Sequence, residues 1–252
     1  MDFTLAFVVA CILIGLSKGG LIGPIGGTLA LPVLVQASFG GQPITVKGAT
    51  GVLLFMLMIG DVFAIPAYWR KWDSRFLWLT LPAAVAGVAL GTWVLVSLDS
   101  QTLKRILAVL TLLVIAYKVF NAALVRYLRS AAYQHRNWHG YFAGLVSGIG
   151  SALSNTGGPP MTAYLLLQKP TPSAFVGTLA VFFLIVNWLK VPGYIVGGVF
   201  QDLHIMAGTW WALLLIPVVV LACRPIIHRV NRDLFDWFMT ALLFVAAISL
   251  LM

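Results

Sequence analysis

The stretch GLSKGGLIGPIGGTLALP, residues 15–32, decides the fold, because an apolar helix breaks there into glycines and a second helix begins. A related stretch, SGIGSALSNTGGPPMTAYL at residues 147–165, repeats the pattern in the second half of the chain. Both contain a Gly-Gly pair, a nearby proline and long apolar flanks. Glycine permits positive φ and close approach, and proline fits the first turn of the helix that follows. The pattern predicts two broken helical hairpins whose second limbs point their N-termini inward.

The composition assigns the chain to the membrane. Of its 252 residues, 61% are hydrophobic and 9% are charged, which leaves too few polar side chains to cover a water-facing surface. Cys11 and Cys223 lie within apolar runs, so we expect two buried hydrophobic side chains rather than a disulfide framework.

The formal charge of +9 has two interpretations, nucleic-acid binding and membrane topology. The basic residues fall in short loops between apolar runs, and no basic stripe with interleaved aromatic residues occurs. Enrichment of Lys and Arg in cytoplasmic loops explains this distribution better. We therefore expect a lipid bilayer, and no nucleic acid, as a partner.

The apolar runs form two series that mirror each other. The first comprises residues 3–16, 28–39, 46–69, 76–98 and 102–121, and the second comprises residues 137–153, 158–168, 171–197, 205–223 and 232–252. Pro66 and Tyr68 in the first series correspond to Pro192 and Tyr194 in the second. We therefore predict a first transmembrane repeat at 1–121, a cytoplasmic linker at 122–136 and a second transmembrane repeat at 137–252.

Loop charges favour a re-entrant path for each broken hairpin. Re-entry places eleven Lys and Arg residues in the cytoplasm and four outside, whereas full crossing gives eight against seven. The four outside are Lys47, Lys104, Arg105 and Lys190. The sequence thus predicts an all-α integral membrane protein of two inverted repeats, each with a re-entrant broken hairpin and three transmembrane helices, and with both termini outside.

Each glycine break is a candidate anion site. Free N–H groups and the positive end of the helix dipole meet at the start of each second limb, near Gly27-Thr28 and near Gly158. Irregular backbone at membrane depth has to be buried in protein or to line a cavity. The alternative is that these glycines only allow close helix packing, as Gly87 and Gly91 would.

Three polar side chains are predicted to lie inside the bilayer. Lys18 lies about fifteen residues, or roughly 22 Å, along the first limb. Its ammonium needs either a substrate anion or Asp61 as a partner, unless the long side chain reaches an interface. Asp61 lies nine residues before Arg70, or about 13 Å from the cytoplasmic boundary and therefore near the midplane. There it either carries a coupling proton or neutralises Lys18. The register of the two repeats places Asn187 opposite Asp61.

Further hydroxyl and amide groups cluster near the breaks, although a single Ser or Thr more often bonds to its own helix than to an anion. The candidate substrate-binding residues are Ser17, Lys18, Gly19, Gly26, Gly27, Thr28, Thr50, Ser154, Asn155, Thr156, Gly157, Gly158, Thr178 and Asn187, with Asp61 as a coupling or ion-pair residue. No catalytic motif occurs, and the four histidines lack metal-ligand spacing. We therefore expect no enzyme activity, no metal and no cofactor.

Three motifs resemble those of one family of transporters. They are the first glycine loop followed by Pro32, the motif NTGGPP at 155–160 followed by Tyr164-Leu165-Leu166, and PAYWRKWD at 66–73. Together they resemble the TauE/SafE sulfite and sulfonate exporters, also called the 4-toluene sulfonate uptake permease family, over essentially the whole chain.

The resemblance implies a secondary transporter in the bacterial inner membrane. Its expected substrates are small sulfur-containing anions such as sulfite, sulfoacetate and related sulfonates, and export is the favoured direction. An anion channel, a membrane assembly factor without transport and a membrane enzyme stay open as alternatives. A homodimer is kept as one candidate oligomeric state.

Overall fold

The computed structural model describes residues 2–97, 136–231, 234, 235 and 238. The predicted linker at 122–136, apart from Arg136, lies outside the described residues. So do the apolar run 102–121 and most of the run 232–252. The described architecture therefore comprises the first four apolar runs of each half.

The described part of the first half contains four helices and a short β-hairpin. The helices are α1 (Phe3–Lys18), α2 (Ile25–Val35), α3 (Val46–Ala67) and α4 (Ser74–Ser97). Strands β1 (Ser38–Phe39) and β2 (Gln42–Pro43) pair antiparallel between α2 and α3. Gly40 and Gly41 form the turn with φ of 57° and 79°, the positive values that a two-residue hairpin turn requires. The sequence had not predicted this hairpin.

The described part of the second half repeats the order of helices. It contains α5 (Asn137–Ser154), α6 (Gly158–Leu167), α7 (Pro172–Val196), two 3₁₀ helices (Gln201–Met206 and Trp210–Leu214) and α8 (Leu215–Arg229). In each half, the first two helices are separated by a break at the glycine loop. We call residues 19–24 the first break and residues 155–157 the second break.

Four described segments are long and apolar enough to cross a membrane: Val46–Ala67, Ser74–Ser97, Pro172–Val196 and Trp210–Arg229. Helices α1 and α2, with 16 and 11 residues, extend only about 24 and 16 Å, which is less than the roughly 30 Å hydrocarbon core. The prediction of a helical, multi-pass membrane protein is confirmed. The inverted repeats and the re-entrant path of each hairpin stay predictions.

Helices α3 and α7 begin and end alike. The hydroxyl oxygens of Thr45 and Thr171 cap them by accepting a backbone N–H three residues further on, at 3.0 and 3.3 Å. Each helix also contains a proline near its end, Pro66 in α3 and Pro192 in α7. The offset along the chain is the same for both pairs, so these two helices are equivalent in local structure.

Helix α4 of the first half packs closely against α5 of the second half. A methyl group added at Gly91 would lie 2.8 Å from the carbonyl oxygen of Ile149, and one added at Gly148 would lie 3.0 Å from the amide nitrogen of Val88. These distances are too short for a side chain, so glycine is what permits the contact. Helix α1 packs against α8 in the same manner at Gly15. The first helix of each half therefore packs against the fourth helix of the other half.

Candidate functional site

The two breaks lie against each other. The chain passes through the first break with positive φ at Gly20 and Gly23, and through the second break with φ of 55° at Asn155. A methyl group added at Gly158 would collide with the carbonyl oxygen of Pro24 in the first break. No side chain caps the first turn of α2 or α6 among the described residues. The N-termini of α2 and α6 therefore lie at the contact between the two halves.

Serine hydroxyls bond to the backbone at both breaks. Ser17 donates a hydrogen bond to the carbonyl oxygen of Gly23 at 2.7 Å, and Ser147 donates one to the carbonyl oxygen of Gly157 at 2.6 Å. A carbonyl group that leaves a helix inside a membrane needs such a partner, because no water is present to replace the lost bond. These two serines therefore stabilise the irregular backbone.

A pair of tyrosines performs the same task from α3 and α7. The Tyr68 hydroxyl donates to the carbonyl oxygen of Gly19 at 2.5 Å, and the Tyr194 hydroxyl donates to that of Ala152 at 2.6 Å. Tyr68 and Tyr194 are the residues that the sequence matched across the two halves. Each tyrosine thus ties the first limb of its own half to the long helix that follows.

A cavity of about 40 Å³ lies beside the two breaks. One wall is apolar and comes from α7, with Phe175, Leu179 and Phe183 among its residues. Six of the predicted substrate-binding residues line this cavity: Ser17, Lys18, Gly27, Asn155, Gly158 and Asn187. The structure therefore brings together residues from α1, α2, α5, α6 and α7 at one small space.

The other candidate glycines pack against protein and do not line the cavity. A methyl group at Gly19 would lie 2.6 Å from the Cβ atom of Cys223, and one at Gly26 would lie 2.5 Å from the carbonyl oxygen of Leu13. Gly157 is crowded by the backbone of α5 in the same way. These three positions show the close packing that was the alternative interpretation of the glycines.

The remaining hydroxyl candidates bond elsewhere or stay unpaired. Thr50 bonds to its own helix at 2.8 Å, and Ser154 bonds to Thr156 at 2.8 Å. Thr178 accepts a backbone N–H from the loop after α3 at 2.9 Å. The Thr28 hydroxyl is buried and has no hydrogen-bond partner among the described residues. None of these five side chains lines the cavity.

The predicted polar side chains Lys18, Asp61 and Asn187 form one connected group. The Lys18 ammonium pairs with Asp61 Oδ1, and Asn187 Nδ2 donates to Asp61 Oδ2 at 2.7 Å. Lys18 is 8% exposed, Asp61 0% and Asn187 1%. Lys18 and Asn187 line the cavity, whereas Asp61 lies behind them. Lys18 therefore has an ionic partner inside the protein and does not reach an interface.

A second lysine, Lys190, is also buried, which the sequence did not predict. Lys190 was predicted to lie outside the membrane, but it lies within α7 and is 0% exposed. Its ammonium donates to Asn155 Oδ1 at 2.7 Å, to Ser151 Oγ at 3.1 Å and to the Ser151 carbonyl oxygen at 3.3 Å. Three acceptors match the three protons of an ammonium group, which has no acceptor of its own. Lys190 and Ser151 are thus the site residues that sequence reasoning missed.

Two buried lysines and one buried carboxyl group lie at or near the cavity. Lys18, Lys190 and Asp61 are the buried charged side chains among the described residues. Asp61 pairs with Lys18, whereas Lys190 has only uncharged oxygen partners. Within the same part of the chain, no group of three or more His, Cys, Asp or Glu side chains lies together as a metal site would need. The local field therefore favours an anion.

Residues 7–250 match the family described as sulfite exporter TauE/SafE. The chain belongs to this family. The resemblance drawn from the NTGGPP and PAYWRKWD motifs is thereby confirmed. TauE/SafE proteins are membrane transporters of sulfur-containing anions, so the chain is a transporter and not an enzyme. No curated protein and no solved structure matches the chain significantly.

Proposed function

We propose that this TauE/SafE protein is a secondary transporter that exports sulfite and small sulfonates across the bacterial inner membrane. The anion binds in the cavity beside the two breaks. The observation that carries this proposal is the presence of two buried lysines, Lys18 and Lys190, beside a single buried carboxyl group, that of Asp61. A buried cation with only neutral partners is costly, and a substrate anion would offset part of that cost.

The helix ends support an anion at the same place. Helices α2 and α6 begin uncapped near the cavity, so their dipoles add positive potential there. Helix α6 begins with Gly158-Pro159-Pro160, and the two prolines have no N–H to donate. The first turn of α2 carries no proline, so we assign the direct backbone contacts to Gly27 and its neighbours in α2.

The size of the cavity supports a small substrate. Its volume of about 40 Å³ exceeds the roughly 10–15 Å³ that one water requires, which leaves room for a compact anion. The apolar wall from α7 excludes water and strengthens the attraction between Lys18 and the anion. The family description as exporters supports the outward direction.

Contacts between the halves support two repeats of opposite orientation. Asp61 and Asn187 occupy equivalent positions in the two halves and are hydrogen-bonded to each other. Equivalent residues can be in contact only if the pseudo-symmetry axis that relates the two halves passes close to both. The first helix of each half packs on the fourth helix of the other, as an axis in this position would produce. A substrate site at such an interface is typical of secondary transporters built from inverted repeats.

The test is anion flux in proteoliposomes. Purified protein should give saturable movement of labelled sulfite, with sulfoacetate and thiosulfate as competitors. Lys18→Ala should weaken anion affinity by about 1.5–3 kcal/mol, or roughly ten- to hundredfold, because it removes a charge-assisted contact, and Lys18→Arg should lose less. Lys71→Ala, which removes an exposed lysine from the loop after α3, is the matched control.

The alternatives give different results in the same assay. A channel would give flux that does not saturate, and an assembly factor would give no flux. Unchanged affinity in folded Lys18→Ala protein would assign Lys18 a purely structural role and would contradict the proposed site.

A further inference from the structure

In the Asn187 side chain, the amide NH₂ group makes a hydrogen bond and the amide oxygen does not. Its Nδ2 group donates to the Asp61 carboxylate, whereas its Oδ1 atom is buried and has no hydrogen-bond partner in the described part of the chain. A carboxylate only accepts hydrogen bonds, so the amide has to turn its NH₂ group toward Asp61. The unpaired Oδ1 atom belongs to a residue on the cavity wall. A buried acceptor without a donor is costly, and such a group points to a function.

We propose that Asp61 and Asn187 form a proton-dependent switch that couples binding of the anion to uptake of one proton. This inference rests on the proposed transport function. When a proton from solvent binds to the Asp61 carboxylate, the carboxylic acid becomes a donor. The Asn187 amide then rotates, so that Oδ1 accepts the Asp61 O–H and Nδ2 is released to donate to the anion in the cavity. The only covalent change is the new O–H bond on Asp61.

The same exchange frees Lys18. The Lys18 ammonium pairs with the Asp61 carboxylate, and Lys18 lines the cavity while Asp61 does not. Protonation of Asp61 removes the competing negative charge, so the ammonium becomes available to the anion. The anion thus gains two donors, Lys18 and Asn187, in the protonated state. By thermodynamic reciprocity, a bound anion favours the proton by the same factor.

Asp61 is the only buried carboxyl group among the described residues. On two of the helices that pack against α3, the titratable residues are Cys11 and Lys18 in α1 and Lys190 and Tyr194 in α7. The charge of Lys190 also acts on Asp61. Helix α2 has no titratable residue. On α8 the titratable residues, Cys223, Arg224, His228 and Arg229, lie in its last two turns, near the Tyr68 end of α3. In the first 3₁₀ helix, Asp202 contacts the opposite end of α3 at Thr45, and His204 lies beside it.

The experiment counts protons taken up when methanesulfonate binds to the full-length protein. This sulfonate stays ionised near neutral pH, so any proton must come to the protein. Calorimetry in two buffers of different ionisation enthalpy gives the number directly. We expect about one proton per bound anion in the unmodified protein, and an affinity that falls about tenfold for each unit rise in pH.

Two variants and one control separate the steps. Asp61→Asn should bind methanesulfonate with no proton uptake and with an affinity independent of pH. Asn187→Leu removes the switch and leaves both charges, so it should weaken binding at low pH by about tenfold or more and lower the proton count. Asp73→Asn changes a carboxylate in the loop after α3 that only caps a backbone N–H, and it should keep the full count.

The outcomes distinguish this inference from the proposed function. Saturable transport or binding without proton uptake in the unmodified protein would overturn the switch and leave the transport function intact. Absence of any sulfite or sulfonate binding would overturn both. If Asp61→Asn fails to fold, the proton count of the unmodified protein and of Asn187→Leu still decides.

Discussion

The substitution Lys190→Met removes the second buried lysine beside the cavity and keeps an unbranched side chain of similar length. Lys190 is fully buried, and its ammonium lies 2.7 Å from Asn155 Oδ1, on a residue that lines the cavity. An anion that accepts a hydrogen bond from Asn155 Nδ2 would lie roughly 6 Å from the ammonium, because the Asn155 amide lies between the two. We therefore expect the loss of this charge to act directly on the affinity for the anion.

The magnitude follows from Coulomb's law. Two unit charges about 6 Å apart interact by about 3 kcal/mol at an effective dielectric constant of 20. Each 1.4 kcal/mol is about a factor of ten in affinity, so Lys190→Met should weaken anion binding roughly hundredfold. The fold is affected by two opposing changes. Two acceptors, Ser151 Oγ and Asn155 Oδ1, lose their donor, while the cost of burying a charge is removed.

The assay measures methanesulfonate affinity and thermal stability on one detergent preparation. Lys71→Met is the control, because it removes the same formal charge from an exposed position where water and ions screen it. We expect the control to bind like the unmodified protein. A folded Lys190→Met protein whose affinity stays within about threefold, or about 0.7 kcal/mol, would refute the assignment of an electrostatic role to Lys190.

Three further predictions concern the breaks and the topology. Gly158→Ala should destabilise the protein by about 1–3 kcal/mol and reduce flux, because the added methyl group would collide with the first break. Gly208→Ala, which has open space around it, should change neither property, and equal melting temperatures of the two variants would contradict the prediction. Tyr194→Phe should cost about 1–3 kcal/mol of stability by leaving a buried carbonyl group unpaired, and no loss in a denaturation curve would argue against that bond. Thr4→Cys should react with an impermeant thiol reagent only from outside and Arg136→Cys only from the cytoplasm, and the opposite result would remove the predicted topology.

The depth of a polar residue in the membrane could be predicted from the sequence, but the helix on which its partner lies, and the face that it occupies, could not. Counting residues from Arg70 put Asp61 inside the bilayer, and the repeat register put Asn187 opposite it; the structure shows both buried and in contact. The sequence left the partner of Lys18 open, because depth alone does not say which helix face a side chain occupies. The ion pair with Asp61 depends on how α1 packs on α3, which is a tertiary property.

The count of basic residues on each side of the membrane gave a wrong position for Lys190. The charge count placed Lys190 outside, although Lys190 lies within the apolar run predicted at 171–197. In the structure, α7 spans nearly the same residues and ends at Val196, six residues or about 9 Å beyond Lys190. The signal was present, since Pro192 and Tyr194 follow Lys190 and match residues near the end of α3. Applying the depth estimate used for Asp61 to this position would have placed Lys190 inside the membrane as well.

The glycine contacts of α4 and α5 constrain the order in which the protein matures during synthesis. Gly87 and Gly91 on α4 lie directly against α5, and α5 emerges from the ribosome after residues 98–135 have been made. Until then, the small-residue face of α4 has lipid as its neighbour, and the first half has no partner for its fourth helix. Neither half can therefore complete its packing alone. Helix α4 can pack against α5 only after α5 has been translated, and α1 can pack against α8 only after α8 has been translated.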